Sequence, residues 1–263
     1  MAPLTLTILG AGPAAPNPGG ANSGYLVRQA NSSVLLDCGP GTVGQIALHV
    51  APELLGGAAI SHFHPDHYFD LVALYYLLKF GPPRHGRLPV WLPPGGRAFL
   101  DRFGELIGKR PAMLDDVFEL CEYPLGAAVD IDGLEFSFYA VQHYIPAHAM
   151  RVRGHDGAVL VFSGDAAPCP QLPEAARDAD LFLCESSLLE PSQDERDPAQ
   201  RGHLTAAEAA AAASAANARR LLITHYRSSP EADAHHLRTA REKFHGPVDL
   251  ARPGETYVVT TPE

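Results

Sequence analysis

The sequence predicts an α/β fold in which two β-sheets pack face to face with helices outside. Short apolar runs with strand patterning recur through both halves of the 263 residues, and each half ends in segments with helical periodicity. No short-period repeat and no linker divides them, so residues 1–263 are read as a single domain. An apolar content of 46%, with 24 Gly and 24 Pro spread along the chain, suits a buried core with many punctuated loops.

The elements follow in order. LTLTILG (4–10) alternates Leu4, Leu6 and Ile8 with threonines and runs into the Gly/Pro loop 11–24, as a strand does. GYLVR and SVLLDCG form a hairpin around QANS. GGAAISH is a short strand, and HYFDLVALYYLLKF after it has apolar residues at helical spacing. Beyond the Pro/Gly stretch 81–96, RAFLDRFGELIG reads as a helix. VFELCEY, LEFSFYAVQH, AMRVRG and AVLVFSGD read as strands, the last two joined by the turn GHDG. DLFLCESS is a strand and TAAEAAAAASAANA a helix, with Thr205 as N-cap and Glu208 completing a capping box. RLLITHY is a strand, EADAHHLRTAREKF a helix, and PVDL and TYVVTT close the chain as strands.

With 20 basic and 30 acidic residues the net charge is −10, which disfavours long nucleic acids as partners. Two divalent cations in one cleft would reverse the local sign, so a small anionic substrate stays compatible with an acidic chain. Cys38, Cys121, Cys169 and Cys184 have no C-x-x-C spacing, and three lie in strand-like runs, as free buried thiols do. The first ten residues lack a basic region before an apolar run, and no stretch reaches about 18 apolar residues. A soluble, cytoplasmic protein without a membrane partner is expected.

The densest chemistry is SHFHPDHYFD, where His62, His64, Asp66 and His67 fall directly after a strand. Residues two apart in extended chain point the same way, so His62 and His64 can converge on one ion. Pro65 keeps His64 out of helical geometry, after which Asp66 and His67 start a helix and face a second ion. A polar loop with Asp66 as N-cap is the bland alternative. Three histidines and an aspartate at this spacing behind a strand speak for metal instead.

The pattern H-x-H-x-D-H resembles the signature of the metallo-β-lactamase superfamily, and the likeness extends over nearly the whole chain. The resemblance implies a four-layer αββα sandwich of two mixed sheets, with three later ligands at strand ends: His143 in VQHYIP, Asp165 in VFSGDAAP and His225 in LLITHY. His62, His64 and His143 would hold one metal and Asp66, His67 and His225 the other, with Asp165 bridging. Zinc is the expected ion, with manganese or iron tolerated by the same ligands.

Within the superfamily, LDCGPGT, HYIPAHAMRV and the pair DLFLCESS and GHLTAAEAA resemble the ribonuclease Z and phosphodiesterase branch. By that likeness His203, supported by Glu185, donates a proton or hydrogen bond to phosphate. Asp66, His203 and Glu185 are the expected catalytic set, and Arg151, Arg227 and Ser228 the expected phosphate contacts. The chain departs from the branch in having Met150 for an aromatic residue and THYRSSP for the usual late motif. Only 22 positions separate His143 from Asp165, too few for the arm that grips transfer RNA.

The expected reaction is hydrolysis of a small phosphodiester, a cyclic nucleotide or short oligonucleotide end, by water activated between two ions. A lactonase or other acyl hydrolase is the enzyme rival, because fold does not settle substrate. A transfer RNA 3′ nuclease is disfavoured by the missing arm. A redox diiron protein is disfavoured by His64, where that branch has Glu, and a non-catalytic binding module by the complete ligand set. Of the remaining histidines, His49, His85, His155, His235, His236 and His245 are expected to be mostly solvated, and His148 to line the cleft. Tyr75, Tyr76 and Phe80 read first as core and surface, with a substrate pocket or a homodimer contact as alternatives. Homodimerisation is expected from the branch.

Overall fold

In a computed structural model of the chain, residues 2–261 are described, except 109, 111, 195, 198 and 199. The first sheet contains β1 (Leu4–Gly10), β2 (Gly24–Gln29), β3 (Ser32–Leu36), β4 (Gly57–Ala59), β5 (Leu88–Leu92), β6 (Phe118–Glu122) and, beside β1, β14 (Thr256–Val259). The second contains β7 (Val129–Ile131), β8 (Leu134–Val141), β9 (Ala147–Arg153), β10 (Val159–Phe162), β11 (Leu181–Glu185), β12 (Leu221–Thr224) and β13 (Val248–Leu250). Each sheet is antiparallel on one side and parallel on the other: β14-β1-β2-β3 run antiparallel and β3 to β6 parallel. In the second sheet β7 to β10 are antiparallel and β10 to β13 parallel.

Strand alternation decides the layers, because successive side chains point to opposite faces. Leu4, Leu6 and Ile8 of β1 share one buried core with Phe136 and Phe138 of β8 and Leu160 and Phe162 of β10. Within it the rings of Tyr123 and Phe138 stack at 3.6 Å. The opposite face of the first sheet packs on α3 (Leu71–Phe80) and α4 (Gly96–Gly108) through Leu74, Leu78 and Leu100. The opposite face of the second packs on α5 (Gln171–Ala175), α6 (Ala206–Ala215) and α7 (Pro230–Arg241). These are the four αββα layers expected.

The alanine-rich α6 buries Ala206, Ala209, Ala210 and Ala213 against the sheet, and small side chains let its backbone approach closely. Its Thr205 cap accepts from the Glu208 amide and Glu208 reaches back, as the capping box requires. The strand β5 was hidden in the sequence by Pro89, Pro93 and Pro94. Pro89 is tolerated inside the parallel half, paired with Glu119. The short elements β7, α5 and α1 (Thr42–Ile46) also lacked sufficient periodicity to be read. The run expected as one helix from His67 to Phe80 breaks at Phe69–Asp70 into α2 (Pro65–Tyr68) and α3.

All four cysteines are unbridged, Cys38 and Cys184 buried and Cys121 and Cys169 half-buried. Among the described residues no helix is long and apolar enough to cross a membrane. His236 corrects the expectation of a solvated residue: it is buried on α7, with Nδ1 3.1 Å from Ser186 Oγ.

Two stability predictions follow from these contacts. Thr205→Ala removes the cap of α6 and is expected to cost about 1 kcal/mol, read from the urea midpoint. Burial, then His235, pulls the His236 imidazole down to about 4, so the folded protein holds it neutral where the unfolded chain, near 6.5, binds a proton. Stability should therefore fall as pH drops from about 6.5 to 4, by about 3 kcal/mol from this residue alone. His236→Phe should show a smaller loss between pH 7 and pH 5 than the parent; an equal loss refutes the assignment.

Candidate metal centre

The C-terminal ends of the strands deliver the site. The chain leaves β4 extended through Ser61 and His62, and His64 keeps φ −76°, ψ 141° as the cap before Pro65 starts α2. Asp66 and His67 lie on that single helical turn. His143 follows β8, Asp165 follows β10, Glu185 ends β11 and His225 follows β12. Strand ends of the two packed sheets thus bring together residues up to 163 positions apart (His225 minus His62).

Two groups of four donor atoms result. His62 Nε2 and His143 Nε2 stand 3.2 and 3.0 Å from His64 Nδ1, and each lies 3.8 Å from Asp165 Oδ2. In the second group His225 Nε2 is 3.1 Å from Asp66 Oδ2 and 3.2 Å from His67 Nε2. Asp165 Oδ1 lies 3.3 and 3.5 Å from those two histidines. Ligand atoms about 2.0–2.1 Å from a tetrahedral ion stand about 3.4 Å apart, so both groups have the edge lengths of a coordination shell. Asp165 contributes one oxygen to each, and all seven sequence-predicted ligands are brought together.

The outer hydrogen bonds aim the lone pairs inward. Ser61 Oγ donates to Asp37 Oδ2 (2.8 Å), so it accepts from His62 Nδ1 (2.9 Å). His67 Nδ1 donates to the same Asp37 oxygen at 2.6 Å, and His143 Nδ1 donates to the Gly202 carbonyl at 2.6 Å. Ser187 Oγ donates to the His225 carbonyl (3.0 Å) and accepts from His225 Nδ1 (2.8 Å). Each of these four imidazoles thereby carries its proton away from the donor cluster, as metal-ligating histidines do. Asp165 Oδ1, buried, has no hydrogen-bond partner. The donor set therefore fits two divalent cations.

Electrostatics agrees. Burial would raise the Asp165 carboxyl, but His225 and His67 outweigh it and hold it well below the carboxylate range. Burial pulls His143 down to about 4 and His62 well below the usual imidazole range, leaving both neutral and able to ligate. His67 is likewise penalised by burial, yet Asp165 and Asp37 push it up, so a bound cation would have to displace a proton there.

His203 Nδ1 lies 2.8 Å from Glu185 Oε1 and 3.9 Å from Asp165 Oδ2. Burial would lower it, but the Glu185 carboxylate, its hydrogen bond and Asp165 raise it to about 9, giving a protonated donor. Glu185, fully buried, also accepts from the amides of Ala166, next to Asp165, and of Ser187, the partner of His225. A cleft of about 470 Å³ exposes His64, Asp66, Asp165, His203, His225 and Arg227.

Other expectations are corrected. Arg151 points away from the cleft, donating at 2.9 and 2.8 Å to the carbonyls of Ala175 and Arg177 around α5. Its place on β9 opposite Ser137 and Val161 sends its side chain to the outer face. Ser228 is spent on Asp233 (3.0 Å) and lines a neighbouring cavity, leaving Arg227 as the sequence-predicted phosphate contact in the cleft. His148 is buried against the Tyr123 ring and Ser61 carbonyl. In keeping with their first reading as core and surface, Tyr75 is buried with its hydroxyl on Asp116 while Tyr76 and Phe80 stack in the open on α3, and none lines the cleft.

Reading the sequence missed the supports Asp37, Ser61 and Ser187, and also Tyr144, which lines the cleft and donates to Asp194 at 2.5 Å. Only the LDCGPGT loop signalled Asp37. Gly39 in that loop is obligatory: a Cβ there would lie 1.9 Å from the Asp66 carbonyl. Asp37 and His225 both hold left-handed backbone, φ 54° and 52°, a strain of about 1–3 kcal/mol each that the packed site must offset.

Metal analysis is expected to find two ions per chain, with His64→Ala folded but depleted and without metal-dependent turnover. Asp37→Ala should weaken metal affinity about 10–100-fold. Full loading and activity in His64→Ala would refute the ligand set. Residues 32–226 match the family described as the beta-lactamase superfamily domain. The protein ML1173 of Mycobacterium leprae is 32% identical, covering 99% of this chain and 90% of the relative. The ribonuclease Z of Myxococcus xanthus is 29% identical over 97% of this chain and 98% of its own. The fold is also that of the metallo-β-lactamase fold protein YhfI from Bacillus subtilis, with a TM-score of 0.82 at 24% identity over 97% and 99% of the two chains. The chain belongs to the beta-lactamase superfamily, in the ribonuclease Z-like branch of the metallo-β-lactamase fold, and is a metal-dependent hydrolase.

Proposed function

We propose that the protein is a phosphodiesterase acting on small phosphodiesters, a cyclic nucleotide or a short oligonucleotide end. The observation that carries this reading is the His203–Glu185 pair at 2.8 Å, aimed into the cleft that also exposes the metal ligands. Two bound cations would supply a water acidic enough to attack at neutral pH and would offset the charge of phosphate. Water forms a bond to phosphorus, the ester P–O bond breaks, and the departing oxygen takes a proton. In this reading His203, which lines the cleft, supplies that proton, its Nδ1 held by Glu185 so that the other ring nitrogen is available. Arg227 is exposed in the same cleft with no hydrogen-bond or ion-pair partner among the described residues, free to hold a phosphate oxygen.

The likeness to a ribonuclease Z supports phosphodiester chemistry. The net charge of −10 favours a small substrate over a long polyanion. Between His143 and Asp165 the chain is taken up by β9 and β10, with no room for an arm that grips transfer RNA. The imidazole and carboxylate donors suit zinc, and manganese or iron can use the same set. Unbridged cysteines suit a reducing cytoplasm. A homodimer is our reading of the assembly.

The test is turnover of the metal-loaded protein on bis-aryl phosphodiesters, cyclic nucleotides, lactones and β-lactams. Phosphodiesters should be preferred, and His203→Ala should lower their kcat by about 10²–10⁴-fold while keeping both metals. A preference for lactones, unmoved by His203→Ala, would replace this reading with acyl hydrolysis.

A further inference from the structure

Two cavities open on the metal centre, and they differ in chemistry. His203, Arg227 and Asp165 line the first. The second, about 420 Å³, lies against His64, whose ring belongs to both walls. It is lined by Phe63, Phe99, Pro93, Pro94 and Ile145, with Arg102 beside them. Phe63 and Phe99 stack with centroids 4.3 Å apart and planes at 26°. Gly96, at the start of α4, lets the helix approach this stack: a Cβ there would lie 2.9 Å from the Phe63 ring.

Arg102 is the second observation. Its neighbours on and after α4 are spent, Arg97 on Asp101 and Asp115, and Arg110 on Asp116. Arg102 is exposed and has no hydrogen-bond or ion-pair partner among the described residues. An aromatic-walled slot with a free planar donor at its side suits a flat ring carrying acceptor atoms on its edge.

We propose that this cavity is the subsite for a nucleobase on the half of an acyclic nucleotide diester that keeps the phosphate. The base packs against the Phe63–Phe99 pair and Arg102 hydrogen-bonds its edge, so the protein selects nucleotide diesters. The inference rests on the phosphodiesterase reading. The departing oxygen needs a proton, and His203 lines only the first cavity, so the leaving half occupies that side. The phosphate-bearing half then extends past His64 into the apolar slot.

The half that keeps phosphate is also a product, so product inhibition tests the subsite. With bis-p-nitrophenyl phosphate as reporter, inhibition by adenosine monophosphate and by inorganic phosphate is compared in the metal-loaded parent, Phe99→Leu and Arg102→Ala. The nucleotide should bind the parent at least about tenfold more tightly than phosphate, and each substitution should shrink that ratio about tenfold at unchanged metal content. Equal ratios in all three proteins, with the reporter still turned over, overturn the subsite and leave the phosphodiesterase reading standing. No turnover of any phosphodiester by the parent overturns that reading, and the subsite with it. Arg102, exposed and unpaired, can be removed without touching the core, so the test survives a failure of Phe99→Leu to fold.

Discussion

Asp165 carries its carboxylate into the interior, 2% exposed, with five imidazole rings within 3.9 Å of its oxygens. Burying an ionised group costs several kcal/mol even after relaxation, and here one oxygen lacks a hydrogen bond. Such a cluster persists because the two packed sheets over-determine it. Its donors lie at coordination spacing, so cations bound there would recover the cost of assembling them. The sandwich can be understood as the scaffold that keeps these polar groups together and dry.

A hydrogen-bonded frame makes the cluster selective. Asp37 joins Ser61 and His67 across the end of the first sheet, and Glu185 joins the segments after β10 and β11 to His203 in the second. Each carboxylate accepts from several donors, so its buried oxygens are not left unpaired. The frame also explains why left-handed backbone is tolerated at Asp37 and His225. Both lie just past strand ends, where the chain must turn abruptly while keeping its side chain aimed at a fixed point.

Net charge is a poor guide to a cleft of this kind. The chain is acidic overall, yet Arg227 and His203 face a donor set suited to two cations, and with those cations bound the local field would favour an anion. The cleft is also asymmetric, with ionisable side chains on the His203 side of His64 and stacked aromatic rings on the Phe63 side. A substrate with one charged centre and one flat apolar half matches that asymmetry better than a uniformly charged one.

The His62–His67 cluster and its strand-to-helix context were legible because period-two spacing and a proline settle local geometry. The αββα layering was legible in strand alternation, and His143, Asp165, His225, His203 and Glu185 through family likeness and their places at strand ends. Arg151 was misjudged because sequence gives its type and neighbourhood, while the β9 register decides which face it occupies. Ser228 was misjudged because its partner Asp233 lies on α7, and His236 because the buried face of α7 depends on how that helix docks. Ser187 and the Phe63–Phe99–Arg102 cavity emerged only from the packed structure, since each depends on segments far apart in the chain, and the LDCGPGT loop hinted at Asp37 without giving its partners. Spacing along the backbone decided which groups can ligate; sheet register and helix docking decided which of them share a cleft.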